Sequence, residues 1–347
     1  MTDDQAGSAF RFHGSWREFA PIALTNLLLI IVTLGIYRFW AKARERRYLW
    51  SRTDFIGDPL EWTGTGKELF IGFVLAVLLF GVPLVLIQFL LQMMIMRGAV
   101  ALAPLVGLIL TSSILFVVGV ARFRALRYRL SRTLWHGIRG GSDEKGFAYG
   151  WSYVWKSIVG GFFFGLMLPW SMIDLWNQRW NSMSFGSHSF TAGAEFGPLL
   201  KRLLICYGLI IGFMIVIALL LTISLPLGST ILQVSVMLLV IPALMVVFLI
   251  YYGLFLRLAI GGMTLNRIDF AFTARSFDLA KLILGDLLLL VGTLGLGFVF
   301  LSYRHWAFFI RHMEASGEID LAELRQSLTE EPRQGEGLLD AFDVGAF

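Results

Sequence analysis

Three polar residues sit inside long apolar stretches, where each could bind or carry something. Asp286 follows Leu282-Ile283-Leu284-Gly285 and precedes Leu287-Leu288-Leu289-Leu290. An ionisable group within a bilayer-crossing segment costs about 2.5–3.5 kcal/mol on insertion, so its presence asks for a reason. Asn26 holds the equivalent place in the first apolar segment, before Leu27-Leu28-Leu29, and Lys156 lies midway between the two in the numbering. The sharp reading is a polar triad, Asn26, Lys156 and Asp286, converging to bind an ion or a small polar solute. The plain reading places them at helix ends at headgroup depth, with Asp286 satisfying a helix dipole and Lys156 snorkelling. Asp174, between Trp170 and Trp176, reads as an interfacial cap rather than a proton relay.

A second set is basic. Arg44-x-x-Arg47-Tyr48-x-x-Ser51-Arg52-Thr53-x-x-x-Gly57 reappears further on as Arg124-x-x-Arg127-Tyr128-x-x-Ser131-Arg132-Thr133-x-x-x-Gly137. Guanidinium forks match phosphate oxygens. Arg44, Arg47, Arg52, Arg124, Arg127 and Arg132 are therefore candidate contacts for anionic lipid headgroups or an anionic solute. Positive-inside topology accounts for the same residues without any ligand. The five histidines, His13, His136, His188, His305 and His312, lack metal-ligand spacing, and the single cysteine, Cys206, lies in an apolar run. No Walker A, dinucleotide glycine fingerprint or Gly-x-Ser-x-Gly occurs. No metal, cofactor or enzymatic activity is expected.

The elements that must position these residues follow from composition. Of 347 residues, 57% are hydrophobic and 15% charged, against about 25% charged in an average soluble domain. Residues 69–96, 98–121 and 203–256 contain no Asp, Glu, Lys or Arg. Roughly 20 apolar residues cross a bilayer as a helix. This excludes a soluble enzyme, and the long runs exclude an outer-membrane barrel, whose strands alternate. Residues 1–312 carry a formal charge of +12 and residues 313–347 one of −7. The positive excess gathers beside apolar segments, which points to anionic headgroups rather than nucleic acid.

Seven apolar segments stand out, near 20–39, 69–93, 99–121, 157–176, 203–224, 230–256 and 282–303. The expected fold is an all-α polytopic membrane protein: two helical hairpins, from segments two and three and from five and six, plus three kinked or re-entrant segments. An interfacial cassette would occupy 1–19, the repeated membrane domain 20–312, and an acidic, disordered tail 313–347. In that tail Ile319–Arg325 suggests one short amphipathic helix. No cleaved signal peptide is visible at the start. Asn26–Gly35 recurs as Asp286–Gly295, and Phe12-His13-Gly14-Ser15-x-Arg17-Glu18 recurs as Trp62-Thr63-Gly64-Thr65-x-Lys67-Glu68. Such cassettes read as short interfacial hairpins that latch helices at the membrane surface, and several could assemble one small cytoplasmic sheet. Gly161-x-x-x-Gly165 and Gly208-x-x-x-Gly212 permit close helix packing, which leaves a homo-oligomer open.

Topology admits two readings. Seven full spans leave 10 basic residues on one side and 15 on the other, which places the C-terminus in the cytoplasm. Alternatively segments one, four and seven, each with helix-breaking chemistry in its second half, enter and leave on one face. Four spans then remain, with both termini cytoplasmic and only Arg97 outside. Segment length favours seven.

Thr33-Leu34-Gly35-Ile36-Tyr37-Arg38-Phe39-Trp40-Ala41-Lys42, with Arg47-Tyr48 and Gly57-x-x-x-x-Trp62-x-Gly64, resembles the YjgN-like family of bacterial inner-membrane proteins. The resemblance runs over most of 10–312 and is sharpest in 10–70. Phe300 stands where a Trp40-type residue is expected, and segment four lacks the Thr-Leu-Gly step. The resemblance implies a bacterial inner-membrane location and supplies no mechanism. The leading expectation is transport or permeation of a small solute through the repeat interface. The rival is a non-catalytic scaffold that binds membrane lipids or protein partners through its basic cassettes.

Overall fold

A strand, a pair of helices and a return strand form the unit from which this chain is built. The computed structural model describes residues 9–98, 100–224, 234–235, 238, 240–317 and 324–330. In it β1 (Phe10–Phe12) leads into α1 (Trp16–Val32) and α2 (Arg38–Ser51), and the chain returns as β2 (Thr53–Phe55), antiparallel to β1. β3 (Asp58–Pro59) folds back on β2. The second excursion leaves β4 (Glu61–Trp62) through α3 (Gly66–Ala76), a π turn at Val77–Gly81 and α4 (Val82–Met96). It comes back along α5 (Ala103–Arg132) to β5 (Thr133–Trp135), which pairs with β4.

The same plan recurs three more times. β6 (Ile138–Gly141), α6 (Phe147–Gly165), α7 (Leu168–Asn181) and β7 (Ser184–Phe185) form the third excursion. β8 (His188–Ala192), α8 (Gly197–Ser224), α9 (Val240–Gly261) and β9 (Met263–Leu265) form the fourth. β10 (Ile268–Phe272), α10 (Ser276–Gly292), a 3-10 turn at Leu296–Phe300, α11 (Leu301–His312) and β11 (Met313–Gly317) form the fifth. Strands β4 to β11 make one eight-stranded antiparallel sheet in sequence order, and β1 to β3 a smaller one. The repeat from Phe12 to Trp62 is the length of a short excursion, and that from Arg44 to Arg124 the length of a long one. Short and long alternate, and one of each makes the interval that separates Asn26, Lys156 and Asp286.

This corrects one expectation. The fold is mostly helical but not all-α, because the cassettes pair with one another along their edges rather than standing as isolated hairpins. β1 and β2, β6 and β7, and β10 and β11 flank segments one, four and seven and are hydrogen-bonded neighbours, so each segment ends beside its own start. The expected boundaries at 19/20 and 312/313 fall inside α1 and at the junction of α11 with β11, the edge strand. Three helices, Ala103–Arg132, Gly197–Thr222 and Val240–Gly261, are long and apolar enough to cross a membrane, and Val82–Met96 is a shorter apolar helix. The Pro-Gly turn at 225–230 and most of the helix expected at 319–325 lie outside the described residues. Leu324 and Arg325, which are described, are not helical.

The reversals in segments one and seven show why Thr-Leu-Gly turns the chain. Thr33 Oγ1 donates to Leu29 O at 2.7 Å and accepts from Tyr37 N at 3.0 Å. Gly35 N donates to Ile30 O at 2.8 Å. Thr293 Oγ1, Gly297 N and Gly295 N repeat the arrangement. Backbone groups freed by the break are thus satisfied within the turn, the condition for irregular backbone at membrane depth. Leu34, Phe164 and Leu294 occupy the left-handed region at φ 50°, 57° and 52°, each followed by a glycine at φ 91°, 82° and 91°. The three tip residues are 94–97% exposed.

The core lies at the sheet end of the helices. One cluster packs Phe19, Phe39, Trp50, Trp62 and Leu69 between the first two excursions and α11. A larger one joins Phe123, Trp135, Trp176, Leu199, Leu256 and Phe272 beneath the eight-stranded sheet.

Candidate functional site

Each of the three sequence-singled residues is buried, and each bonds across its own helix pair. In the fifth excursion Asp286 Oδ1 accepts from Arg304 Nε at 2.6 Å, and Oδ2 lies 2.7 Å from His305 Nε2. In the third, Lys156 Nζ forms an ion pair with Asp174 and donates to Gln178 Oε1 at 2.9 Å. In the first, Asn26 Nδ2 donates to Ala41 O at 3.3 Å, while Asn26 Oδ1 is buried without a partner among the described residues. Arg44, Asp174 and Arg304 are spaced at the same interval as the buried three and hold the corresponding place on the second helix of each pair. Charge is matched inside the third and fifth pairs; in the first, the buried residue is the neutral Asn26 and its counterpart by spacing, Arg44, is exposed.

A cleft of about 300 Å³ opens where the first pair meets the fifth. Asn26 and His305, the latter on Asp286, both line it, together with Lys42, Glu45 and Ser302. Ser302 Oγ donates to Glu45 Oε2 at 3.2 Å and so joins α11 to α2. Of the expected triad only Asn26 lines the cleft; Asp286 lies behind His305, and Lys156 is not among the lining residues, so the structure does not bring the three together. Among the described residues no group of three or more His, Cys, Asp and Glu is placed to hold a metal. Cys206 is buried.

The arginines divide by role. Tyr48 Oη donates to Glu18 Oε2 at 3.2 Å and Arg52 pairs with the same carboxylate at 3.0 Å. Tyr128 Oη donates to Glu68 Oε2 at 2.9 Å and Arg132 pairs with Glu68 at 2.8 Å. The aromatic-glycine motif and the Arg/Tyr motif, which recur at different intervals, thus meet in space. The glutamate in the first turn of an outgoing helix is held by the Tyr and Arg at the end of the returning one. Burial raises the Tyr48 phenol above its ordinary 10, partly offset by its hydrogen bond to the Ser15 backbone. Arg127 is buried and donates to Glu144 O and Glu330 O, and Arg124 donates to Lys145 O. Arg44 and Arg47 are exposed.

Two features escaped the sequence reading. Arg179, 3% exposed, lies over the Trp176 ring at 5.3 Å, with Nε and Nη1 buried and unpaired among the described residues. Its place at the end of segment four marked it only as a flanking charge. Residues 324–330 lie across the sheet's turns, where Leu324 is buried and Gln326 Nε2 donates to Gly137 O at 2.9 Å. The acidic composition of the tail gave no signal for that strap.

Residues 7–341 match a family described as bacterial protein of unknown function (DUF898). Over 136 residues the chain is 29% identical to the inner membrane protein YjgN of Escherichia coli O157:H7 and to that of Escherichia coli strain K12. Over 130 residues it is 28% identical to that of Salmonella typhimurium. The matched stretches cover 38–39% of this chain and 30–31% of those relatives, so the chain spans about a third of their length. No solved structure matches it.

Proposed function

The chain belongs to the DUF898 family of bacterial proteins of unknown function, and on that footing we propose a non-catalytic, multi-pass membrane protein that organises lipids from one face of the inner membrane. The observation that carries this reading is the sheet: all five helical excursions leave from and return to adjacent strands. Four crossings follow, the α3–α4 run, α5, α8 and α9. The pairs α1–α2, α6–α7 and α10–α11 dip into one leaflet and return. Their exposed Leu34, Phe164 and Leu294 suit hydrocarbon and would be a liability in water.

The sheet side is cytoplasmic in this reading, because Arg97 is the one Lys or Arg of residues 1–312 at the far end of a crossing excursion. Exposed aromatics at the helix starts, Trp16, Phe147, Trp151, Phe196 and Phe277, form an interfacial girdle. Beside them stand Arg17, Lys67, Lys201 and Lys281, all exposed. Arg17 lies 5.7 Å from the Trp16 ring centre and Lys281 4.5 Å from that of Phe277. A basic residue near an anionic surface contributes about 1 kcal/mol, so the rim and the exposed Arg44 and Arg47 together attract anionic lipid.

Solute transport takes second place. The charges inside the apolar segments are matched within their own helix pairs, and neither Lys156 nor Asp286 lines the cleft. The test is lipid partitioning around the reconstituted protein in vesicles of phosphatidylcholine with a minority of phosphatidylglycerol. Enrichment of phosphatidylglycerol should fall at high salt and in a variant carrying Arg17→Gln, Arg44→Gln, Arg47→Gln and Lys67→Gln. Protein-dependent solute flux that Asn26→Leu abolishes, with no lipid enrichment, would overturn the reading.

A further inference from the structure

The cleft between the first and fifth helix pairs holds its polar side chains, Asn26, Glu45, Ser302 and His305, on the sheet side of Ile30 and Phe298, with Ala23 and Leu301 as apolar wall among them. On α1, Asn26 lies about 6 Å nearer the sheet than Ile30, from a rise of about 1.5 Å per residue. Both line the cleft, as does Leu27. On the fifth pair Phe298 lies next to the reversal, with Ser302 and His305 further along toward the sheet. On α2 the lining residues are Lys42 and Glu45, which contribute one charge of each sign. An occupant matched to this wall has a polar head carrying both charges, directed at the sheet, and an apolar body directed at the tips.

One further observation identifies the kind of head. Asn26 is 1% exposed, and with its Nδ2 given to Ala41 O, its Oδ1 has no donor among the described residues. A buried acceptor left without a donor costs about 1–3 kcal/mol. A ligand whose N–H donors reach Oδ1 as the Asn26 amide turns toward the cleft relieves that cost, and a quaternary ammonium cannot. The cleft volume, about 300 Å³, is at the lower end of small-molecule sites, which run to roughly 1,000 Å³. It suits a headgroup whose chains continue along exposed helix surface.

We infer that this cleft binds a phospholipid with a primary-amine headgroup, phosphatidylethanolamine in chemical class. The phosphate would meet Lys42, and the ammonium would meet Glu45 and Asn26 Oδ1. The acyl chains would follow Leu27, Ile30 and Phe298 toward the bilayer centre. The inference rests on the one-sided disposition of the hairpins proposed above and adds a specific site to it.

The experiment uses the full chain, delipidated in detergent and titrated with short-chain lipids under native mass spectrometry. Phosphatidylethanolamine should give one saturable adduct per chain, with phosphatidylcholine and phosphatidylglycerol at least about tenfold weaker. Glu45→Gln and Lys42→Gln should each weaken the adduct by about tenfold or more, with thermal midpoints near that of the parent. Asn26→Asp, which keeps the size and adds an anion for the ammonium, should retain or tighten it. Equal binding of phosphatidylcholine, or adducts unchanged in both charge variants, would overturn the assignment. Free O-phosphoethanolamine binding as tightly as the lipid would overturn the lipid part of it. Enrichment of phosphatidylglycerol by the basic rim is salt-dependent and read in vesicles, so its failure is distinguishable from failure of this net-neutral adduct.

Discussion

Arg304 donates to Asp286 at 2.6 Å across the fifth helix pair, and in the third pair Asp174 and Lys156 make the same bond with the charges exchanged. The two bonds span the same sequence separation, one set by the reversal between two helices rather than by helical periodicity. The pair acts as a clasp at the same depth in two hairpins, and either polarity serves. A clasp predicts interchangeability. Asp286→Asn, which strands a partly exposed guanidinium, should lower stability by about 1–3 kcal/mol. Asp286→Lys should cost more, and adding Arg304→Asp should recover at least half of the loss. Thermal unfolding in detergent reads all three, and a swap no better than its worse single variant would reject the clasp.

The tips give a second prediction. If Leu34 and Leu294 sit in hydrocarbon, Leu34→Asp and Leu294→Asp should each raise the cost of insertion by up to about 3 kcal/mol and deplete the protein from membrane fractions. In water the same changes would be near neutral. In a Cys206→Ser background, Leu34→Cys and Leu294→Cys should resist a membrane-impermeant maleimide from both sides. Arg97→Cys should label from the side opposite the sheet. Labelling of Leu34→Cys from that same opposite side would mean that the first pair crosses.

Apolar runs, their helix-breaking steps and the cassette spacings were all legible in the sequence. Length alone did not decide between crossing and reversal for segments one, four and seven. An apolar run long enough to span is the same string whether it crosses once or climbs, turns at Thr33-Leu34-Gly35 and descends. The segment-four reversal was harder still, since Phe164-Gly165 makes the turn without the threonine. Strands of two to five residues carry little alternation, so the sheet was readable only as a possibility of the cassettes. Of the candidate site, Asn26, Lys156 and Asp286 and their common spacing were legible, while burial and headgroup depth both stayed open. Their partners were not legible, because Arg304, Asp174 and Gln178 are brought to them by the turn.

The two Glu–Tyr–Arg closures invite a comparison. Glu68 and Arg132 are 20% and 17% exposed, whereas Glu18 and Arg52 are 48% and 47% exposed. Solvent screens the second pair more. A double-mutant cycle on Glu68 and Arg132 should give a coupling of about 1–3 kcal/mol, and one on Glu18 and Arg52 about 0.2–1 kcal/mol. Raising the salt should shrink the second coupling and leave most of the first. Equal couplings would mean that burial does not separate the two sites.

The strap over the sheet predicts a change in protease sensitivity. Leu324 is buried against the larger core, and Arg139 N donates to Gln326 Oε1 at 3.1 Å. Leu324→Asp places a charge in that apolar contact and should release the segment. Limited proteolysis would then cut near 324–330 faster by about tenfold if undocking costs about 1.4 kcal/mol, with helical content unchanged. Equal cleavage rates would show that the strap is not held there.

Arg179 supplies the last test, because burial penalises its charge while Nε and Nη1 find no partner among the described residues to offset it. A guanidinium removed from water without a carboxylate costs several kcal/mol, and its placement over Trp176 returns about 2 kcal/mol at most. With Nε and Nη1 unpaired among the described residues, the balance is unfavourable as it stands. Arg179→Met keeps the length and apolar character of the stem. It should leave the thermal midpoint unchanged or raise it, whereas Arg179→Ala should lower it by opening a cavity. A loss above about 3 kcal/mol in Arg179→Met would mean that the guanidinium is paired with an anion in the folded protein.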